Sequence, residues 1–269
     1  MRGQIQHFAH EFRAGVRNPT LLMLNYLFPL GFYLMMGFVM TGINPDFTEN
    51  MTPAMAIFVV MVAAILGLPS PIAEAREAGI YRSFRTIGVP AASVLAMPAI
   101  TTALHALVMA TLVSFASPRF FGAAAPEAWA PFAGVIMLTA FCFVAIGLLI
   151  GVVAKDSRAV TLLSQAIFLP SMLLGGLMVP LSLLPESMRS VAALLPTTHA
   201  MQAIEGLAFG RETIIDPALA AGALGITGLL SLLLAGVLFR WDTRTESGAR
   251  SRSFALLALA PLALVAVLA

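Results

Sequence analysis

Apolar residues along this chain gather into blocks of about 20, the length at which a helix crosses a hydrocarbon core. The blocks predict six spans, at about 21–40, 53–68, 93–115, 131–153, 159–179 and 217–239. None of them alternates every second residue, so a transmembrane barrel is excluded. The predicted fold class is therefore an all-α membrane protein. Residues 1–240 form the transmembrane domain, and 241–269 form a basic tail followed by an apolar segment.

The polar interruptions carry patterns of their own. Ile5, Phe8, Phe12 and Val16 share one helical face with His7, Arg13 and Arg17 elsewhere, which predicts an amphipathic interface helix over 4–17, broken at Asn18-Pro19. Asp46 and Glu49 mark an acidic turn after the first span. Thr52-Pro53 supplies an N-cap and first-turn proline for the second, and Pro69-Ser70-Pro71 ends it. The fourth span contains Gly147 and Gly151 in a GxxxG spacing, which lets helices approach closely. Packing within the chain is the plainer reading of it, dimerisation the other.

Between the second and third spans lies the one charged island, Glu74–Pro90, with Glu74, Arg76, Glu77, Arg82 and Arg85. Ile80, Phe84 and Ile87 recur at i, i+4 and i+7, so a helix here carries an apolar stripe and a charged face. Two uses are open: a helix resting on lipid, or a knob gripped by a partner. Residues 180–210 are too broken to cross and too apolar to be solvated. Pro185-Glu186 opens a short helix with Met188, Val191, Leu194 and Leu195 on one face. Pro196 stops it, Thr198 caps a second, and Gly210 ends that one. A re-entrant helical hairpin in the outer leaflet fits, because such backbone is tolerated only where protein or a water-filled cavity covers it. Residues 254–269 are apolar around Pro261, and a short seventh crossing, an interfacial helix and a fragment of a longer chain all remain open.

Charge supplies the orientation. Of the fifteen Lys and Arg, twelve fall in residues 1–20, the island, the 155–158 turn and the tail 240–252; only Arg119, Arg189 and Arg211 fall on the other side. The positive-inside rule then puts the N-terminus and the island in the cytoplasm of a multi-pass protein of the cell membrane. With 59% hydrophobic residues and a mean hydropathy of +0.94, a soluble domain is excluded. A net charge of +2 with dispersed arginines gives no nucleic-acid patch. The single Cys142 forbids an internal disulfide.

The chemistry the chain lacks is as informative. Lys155 has no P-loop glycines before it, His10-Glu11 lacks a second histidine one turn on, and no serine sits in a nucleophile elbow. No metal site and no catalytic residue are expected. The predicted spans hold no Asp, Glu, Lys or Arg, whereas proton-coupled transporters keep ionisable groups at depth. His105 is read as a hydrogen-bonded packing residue first and a proton relay second, and Asn25 and Gln165 as interhelical partners before ligands.

Two stretches carry a resemblance. Glu74–Pro90, with Glu77, Gly79 and Pro90, is similar to the cytoplasmic loop of the permease subunits of ABC-2 type transporters, a group that includes drug and antibiotic exporters. The second stretch, 176–203, resembles that family's outer hairpin at Gly176, Pro180, Pro185, Pro196, Thr198 and His199. Ile80 stands where the family usually has Thr, Gly175-Gly176 where it has Ser-Gly, and Glu205-Gly206 where an arginine is common. The resemblance implies six spans per permease, paired with a second copy or a different permease chain. It also implies a separate ATPase subunit that holds ATP and Mg, leaving this chain without cofactor. The island becomes a coupling helix in which Glu74, Arg76, Glu77, Gly79, Ile80, Arg82, Phe84, Arg85 and Ile87 meet the ATPase, and the hairpin becomes an outer gate. The function implied is export of a hydrophobic or amphipathic substrate, drug or lipid-like. A secondary transporter and a non-transporting scaffold or immunity protein are the rivals.

Orientation is directly testable. Single cysteines at Glu49, Glu127 and Arg189 should react with an impermeant thiol reagent from outside intact cells, and those at Arg82 and Arg158 only after permeabilisation. Outside labelling at Arg82 would overturn the topology.

Overall fold

The computed structural model of the chain describes residues 19–44, 47–241 and 254–268. The expected interface helix over 4–17 and most of the basic tail, 242–253, lie outside the described residues. Every regular element among them is helical. Six helices are long and apolar enough to cross a membrane: α1 (Pro19–Ile43), α2 (Phe47–Glu77), α4 (Ala91–Phe121), α5 (Trp129–Val153), α6 (Ser157–Leu174) and α9 (Pro217–Leu238). Shorter ones lie between and after them: α3 (Ile80–Thr86), α7 (Glu186–Ala192), α8 (Pro196–Phe209) and α10 (Ala260–Leu268).

The architecture is a bundle built around α2. Each residue from Ala54 to Ile65 is 0% exposed, and this stretch is apolar on every face. A helix without a polar side is stable only when neighbours surround it. Most of α5 is buried too, whereas α1, α4, α6 and α9 keep large apolar side chains such as Phe38, Phe115, Leu162 and Val237 on the outside, where a bilayer would cover them. Three buried hydroxyls within the spans bond back to their own helices: Ser114 to Ala110 O, Ser117 to Val113 O and Thr139 to Val135 O, at 2.6–2.8 Å. Those bonds give each hydroxyl an acceptor within its own helix.

Two glycines set the spacing between the central helices. A Cβ on Gly147 would lie 2.1 Å from the carbonyl oxygen of Ala64, and one on Gly151 would lie 3.0–3.1 Å from Ile72 Cβ and Pro69 O. The GxxxG pair therefore packs α5 against α2 inside the chain, backbone against backbone, a contact that lipid cannot replace. The α2 backbone at this crossing is π-helical over Val62–Gly67.

Several expected boundaries shift. The second span neither starts at Pro53 nor stops at Pro69. α2 begins at Phe47, and Thr52, rather than capping it, donates its hydroxyl to Ala124 O at 2.7 Å. Pro69 and Pro71 fall in the first turn after the π-helical stretch, where the wider winding accepts rings without an N–H, and the helix runs on to Glu77. The fifth span ends at Leu174 instead of 179, because Gly175-Gly176 turns the chain and Gly176 takes φ +86°. The segment 254–268 forms a 3-10 turn (Phe254–Leu259) and then α10, both packed along α9.

The crossing yields a stability prediction. Gly147→Val should lower the thermal midpoint in detergent strongly, since overpacking of this kind costs about 1–3 kcal/mol where neighbours can shift and here the neighbour is backbone. Gly134→Ala, where a Cβ meets nothing within 4 Å, should leave it unchanged.

Candidate functional site

At one end of the bundle the island divides in two. α2 carries Glu74, Arg76 and Glu77 in its last turn, and Gly79, at φ +74°, then redirects the chain into α3. A residue with a side chain would be strained at that angle. Within α3, Tyr81 is buried, its ring 5.6 Å from Phe239 and 6.4 Å from Phe84, which is half-buried. Ile80, Arg82 and Arg85 are exposed, and Ile87, just past the helix end, is 73% exposed. The expected Ile80–Phe84–Ile87 stripe is thus divided: Tyr81 and Phe84 anchor the helix to its own chain, and the two isoleucines point away. The seven-residue helix is too short for one stripe to span it. Arg76 and Glu77 do not share the exposed face of α3 either. Arg76 is 7% exposed and bonds the carbonyls of Val152 and Ala154, and Glu77 bonds Ser157. Hydropathy spacing gave no hint of these bonds, because their partners lie 76–80 residues away.

The opposite end is closed by the segment between α6 and α9. After Gly176, Pro180 leads into a 3-10 turn (Leu181–Leu183), Pro185 into α7, and Pro196 begins α8. Met188, Val191 and Leu194 are exposed, while Leu181, Leu184 and Ala192 pack inward. Arg189 folds back, its Nε donating to Leu184 O at 2.8 Å and its Nη2 to Ser182 O at 2.6 Å. Thr198 lies inside α8 rather than at its N-cap, which is Leu195; its hydroxyl donates to Ala192 O at 2.6 Å. His199, 0% exposed, bonds Ala193 O through Nε2 at 2.8 Å. Thr198 and His199 therefore pin α8 to the end of α7.

Beside α8 lies a cavity of about 220 Å³, lined by Asn50, Gly176, Pro180, Gln202, Glu205 and Arg211 among others. Gln202 Oε1 accepts from the amides of Ile214 and Ile215 at 2.8 and 3.1 Å, and its Nε2 donates to Glu205 Oε2 at 3.2 Å. Arg211 donates to Asn50 Oδ1 at 2.6 Å and Glu49 O at 2.8 Å, with its guanidinium 4.8 Å over the Phe209 ring. These contacts join the start of α2 to the end of α8. Burial pushes the Glu205 carboxyl above its ordinary range, and the Arg211 charge pulls it partly back. Burial lowers the His199 pKa, and the bond to Ala193 offsets part of that. The sequence marked Glu205 as a departure from the family pattern and Arg211 as an outer charge, but it did not bring them together with Asn50 and Gln202, since their association depends on the fold around Gly210.

Inside the bundle, the Tyr26 hydroxyl and His105 Nδ1 are hydrogen-bonded, which ties α1 to α4 with the rings edge to face. Asn25 is buried beside Gly67 of α2. A larger, apolar cavity of about 510 Å³ opens between α4, α5 and α9, with Ala96, Ala99, Ala103, Phe141, Val144 and Leu232 among its walls. Among the described residues no group of three or more His, Cys, Asp or Glu comes together to hold a metal.

The family model for the ABC-2 type transporter matches residues 6–209, well over half of the chain. The chain belongs to that family. YvfS of Bacillus subtilis (strain 168), named as a transport permease, is 25% identical over 193 residues, which cover 70% of this chain and 78% of the relative. An ABC-2 permease is the multi-pass membrane component of a transporter; it is not itself the ATPase, and the family associates with an ABC ATPase.

The buried histidine gives this ABC-2 permease a pH signature. Folded His199 is held neutral, so the unfolded chain takes up the extra proton first as pH falls below 6.5. Its contribution to stability is complete above that value and is lost as pH falls through the lowered folded value. Thermal unfolding in detergent between pH 7.5 and 5 should show the decline, and His199→Gln, which keeps a donor for Ala193 O, should flatten it. An unaltered pH profile in the variant would show that His199 does not carry the effect.

Proposed function

We propose that this chain is the permease of an ATP-driven exporter for hydrophobic or amphipathic molecules, and that α3 is the coupling helix received by the ATPase. The carrying observation is the form of α3: a short helix rooted by Tyr81 against Phe239 that turns Ile80, Arg82, Arg85 and Ile87 outward. A rooted knob transmits force, whereas a helix held only by lipid would follow the bilayer. Residues 1–240 are the transmembrane domain of the proposal and 241–269 its tail. The N-terminus and α3 lie in the cytoplasm, and the protein sits in the cell membrane with a second permease, identical or different, beside it.

In this reading α7 and α8 close the pathway from outside, with Gly176, Pro180, Pro185 and Pro196 shaping the turns and Thr198 and His199 holding the two helices together. The apolar cavity between α4, α5 and α9 supports a hydrophobic substrate, because its walls offer nothing to solvate an ion. ATP and Mg belong to the partner subunit, and alternating access follows if nucleotide and substrate favour different arrangements of the two permeases.

Reversing Arg82 and Arg85 to Glu tests the coupling role. Both are exposed surface charges, so the membrane bundle should remain folded. Capture of the ATPase and transport should both fall. A helix that merely rests on anionic lipid would lose about 1 kcal/mol of attraction per basic group and keep its ATPase. Undiminished capture and transport at normal expression would sink the charge-pairing role.

A further inference from the structure

The segment 254–268 lies beyond residues 6–209, the part matched to the family model, and it covers a cavity of its own. The cavity measures about 200 Å³ and lies between α5, α6, α9 and the 3-10 turn Phe254–Leu259. Ala258 and Leu262 are 1% and 0% exposed, so the segment is seated in the bundle. On α5 the walls are Ile146, Leu149, Ile150 and Val153, spaced i, i+3, i+4 and i+7 along one face. Val144 and Leu148, which wall the larger cavity, lie two residues from Ile146 and Ile150, about 200° around the helix. The two cavities are therefore on opposite sides of α5.

Among the described residues that line this cavity, Ser231 of α9 is the one with a polar side chain; the others are aliphatic. Ser231 is 0% exposed, and its Oγ has no hydrogen-bond partner among the described residues. Ser114, Ser117 and Thr139 each bond a carbonyl one turn back in their own helix, and Ser231 does not. A buried hydroxyl left unpaired is costly, and each such group calls for an explanation. A water molecule is a poor one here, because it needs about two to four polar partners and the lining side chains supply a single hydroxyl. We propose that the cavity is a binding site for a small, mostly apolar molecule with one hydroxyl, a phenol or a compact alcohol. Its hydroxyl pairs with Ser231, and its body packs against Leu149, Ile167 and Ala258. Size agrees: a cavity of about 150 Å³ accepts benzene, so one of about 200 Å³ holds a ring with a small substituent. The site is distinct from the cavity proposed for the substrate, and the inference does not depend on the export reading. A molecule seated there touches three spans and the segment 254–268 at once, so it favours the folded arrangement of all four.

The probe is para-cresol, with toluene as the same ring without a hydroxyl, added to the chain in lipid nanodiscs. Nanodiscs without protein correct for partition into lipid. Para-cresol should raise the thermal midpoint saturably, and toluene should need about fivefold more for the same rise, the worth of one hydrogen bond. Ser231→Ala should bring para-cresol down to the level of toluene, without lowering the midpoint of the variant when no probe is present. Ser231→Leu, which fills the cavity, should abolish the saturable rise with either. Photolysis of para-azidophenol should label peptides 163–167 or 255–259 in the wild type and spare them in Ser231→Leu. Equal potency of the two probes would reduce the cavity to a hydrocarbon slot, and a preference that survives Ser231→Ala would remove the hydroxyl pairing; either overturns the proposal. So would the absence of any saturable rise, or labelling confined to residues 92–107 at the other cavity. If Ser231→Leu does not fold, Ser231→Ala and the labelling of the wild type decide.

Discussion

The contact on which the remainder depends is the crossing of α5 over α2 at Gly147. Within a bilayer there is no hydrophobic gain from bringing helices together, because lipid tails are as apolar as leucine. Association has to come from close packing, and close packing needs absent side chains. Gly147 and Gly151 supply that absence on α5, and the backbone of Ala64 and Pro69 fills it from α2. Once these two helices are in contact, the rest of α2 is available to be covered on its other faces. Helices α1, α4 and α6 do so and leave their own outer faces to the membrane.

The two ends are then secured differently. At the α3 end the fastenings are charged and run from α2 to the α5–α6 turn, through Arg76 and Glu77. At the far end they run from α2 to the closing segment: Arg211 to Asn50 and Glu49, with Thr52 to Ala124 alongside. Buried or half-buried charged groups survive at both places because helix termini and backbone carbonyls satisfy them. α2 is therefore in contact with both candidate working surfaces. At about 1.5 Å per residue, a single helix from Phe47 to Glu77 reaches through the bilayer and beyond it.

Blocks of hydropathy were enough to locate six spans, because crossing a membrane demands length and little else. Their ends were harder to read. Pro69 and Pro71 read as a stop since proline usually ends helices, yet the π-helical turn before them removes the clash that makes it so. Gly210 was legible as punctuation because capping is local, and Asp216 caps α9 in the same local way, its Oδ1 accepting from Ala218 N and Leu219 N. The candidate sites were legible only as far as local pattern reaches. The charged island could be seen, but not that Arg76 is buried and Glu77 bonded to Ser157, nor that Tyr81 roots the helix in place of Ile80 and Ile87. Those facts are set by Val152, Ser157 and Phe239, which no short window contains. The association of Gln202, Glu205 and Arg211 was invisible for the same reason.

The π-helical turn of α2 links the crossing to movement. It spans Val62–Gly67, so it includes Ala64, whose carbonyl faces Gly147, and Gly67, beside which the buried Asn25 of α1 lies. A π turn offsets the hydrogen-bond register and leaves a helix easier to rewind there than elsewhere. The segments on either side of it are regular α-helix, fastened to different parts of the chain: Asn50 to the closing segment and Thr52 to the α4–α5 connection, Arg76 and Glu77 to the α5–α6 turn. α1 carries its own π-helical stretch, Met23–Leu27, against the same place. A push delivered to α3 would thus travel up a stiff lower α2 held to α5 and α6. The winding at Val62–Gly67 is where it would be absorbed or passed on. Because Gly147 leaves room for no side chain at that level, the backbone of α5 would follow any rewinding of α2 directly. A backbone-to-backbone contact and a π-helical turn therefore coincide, which is the arrangement expected of a joint and not of a strut.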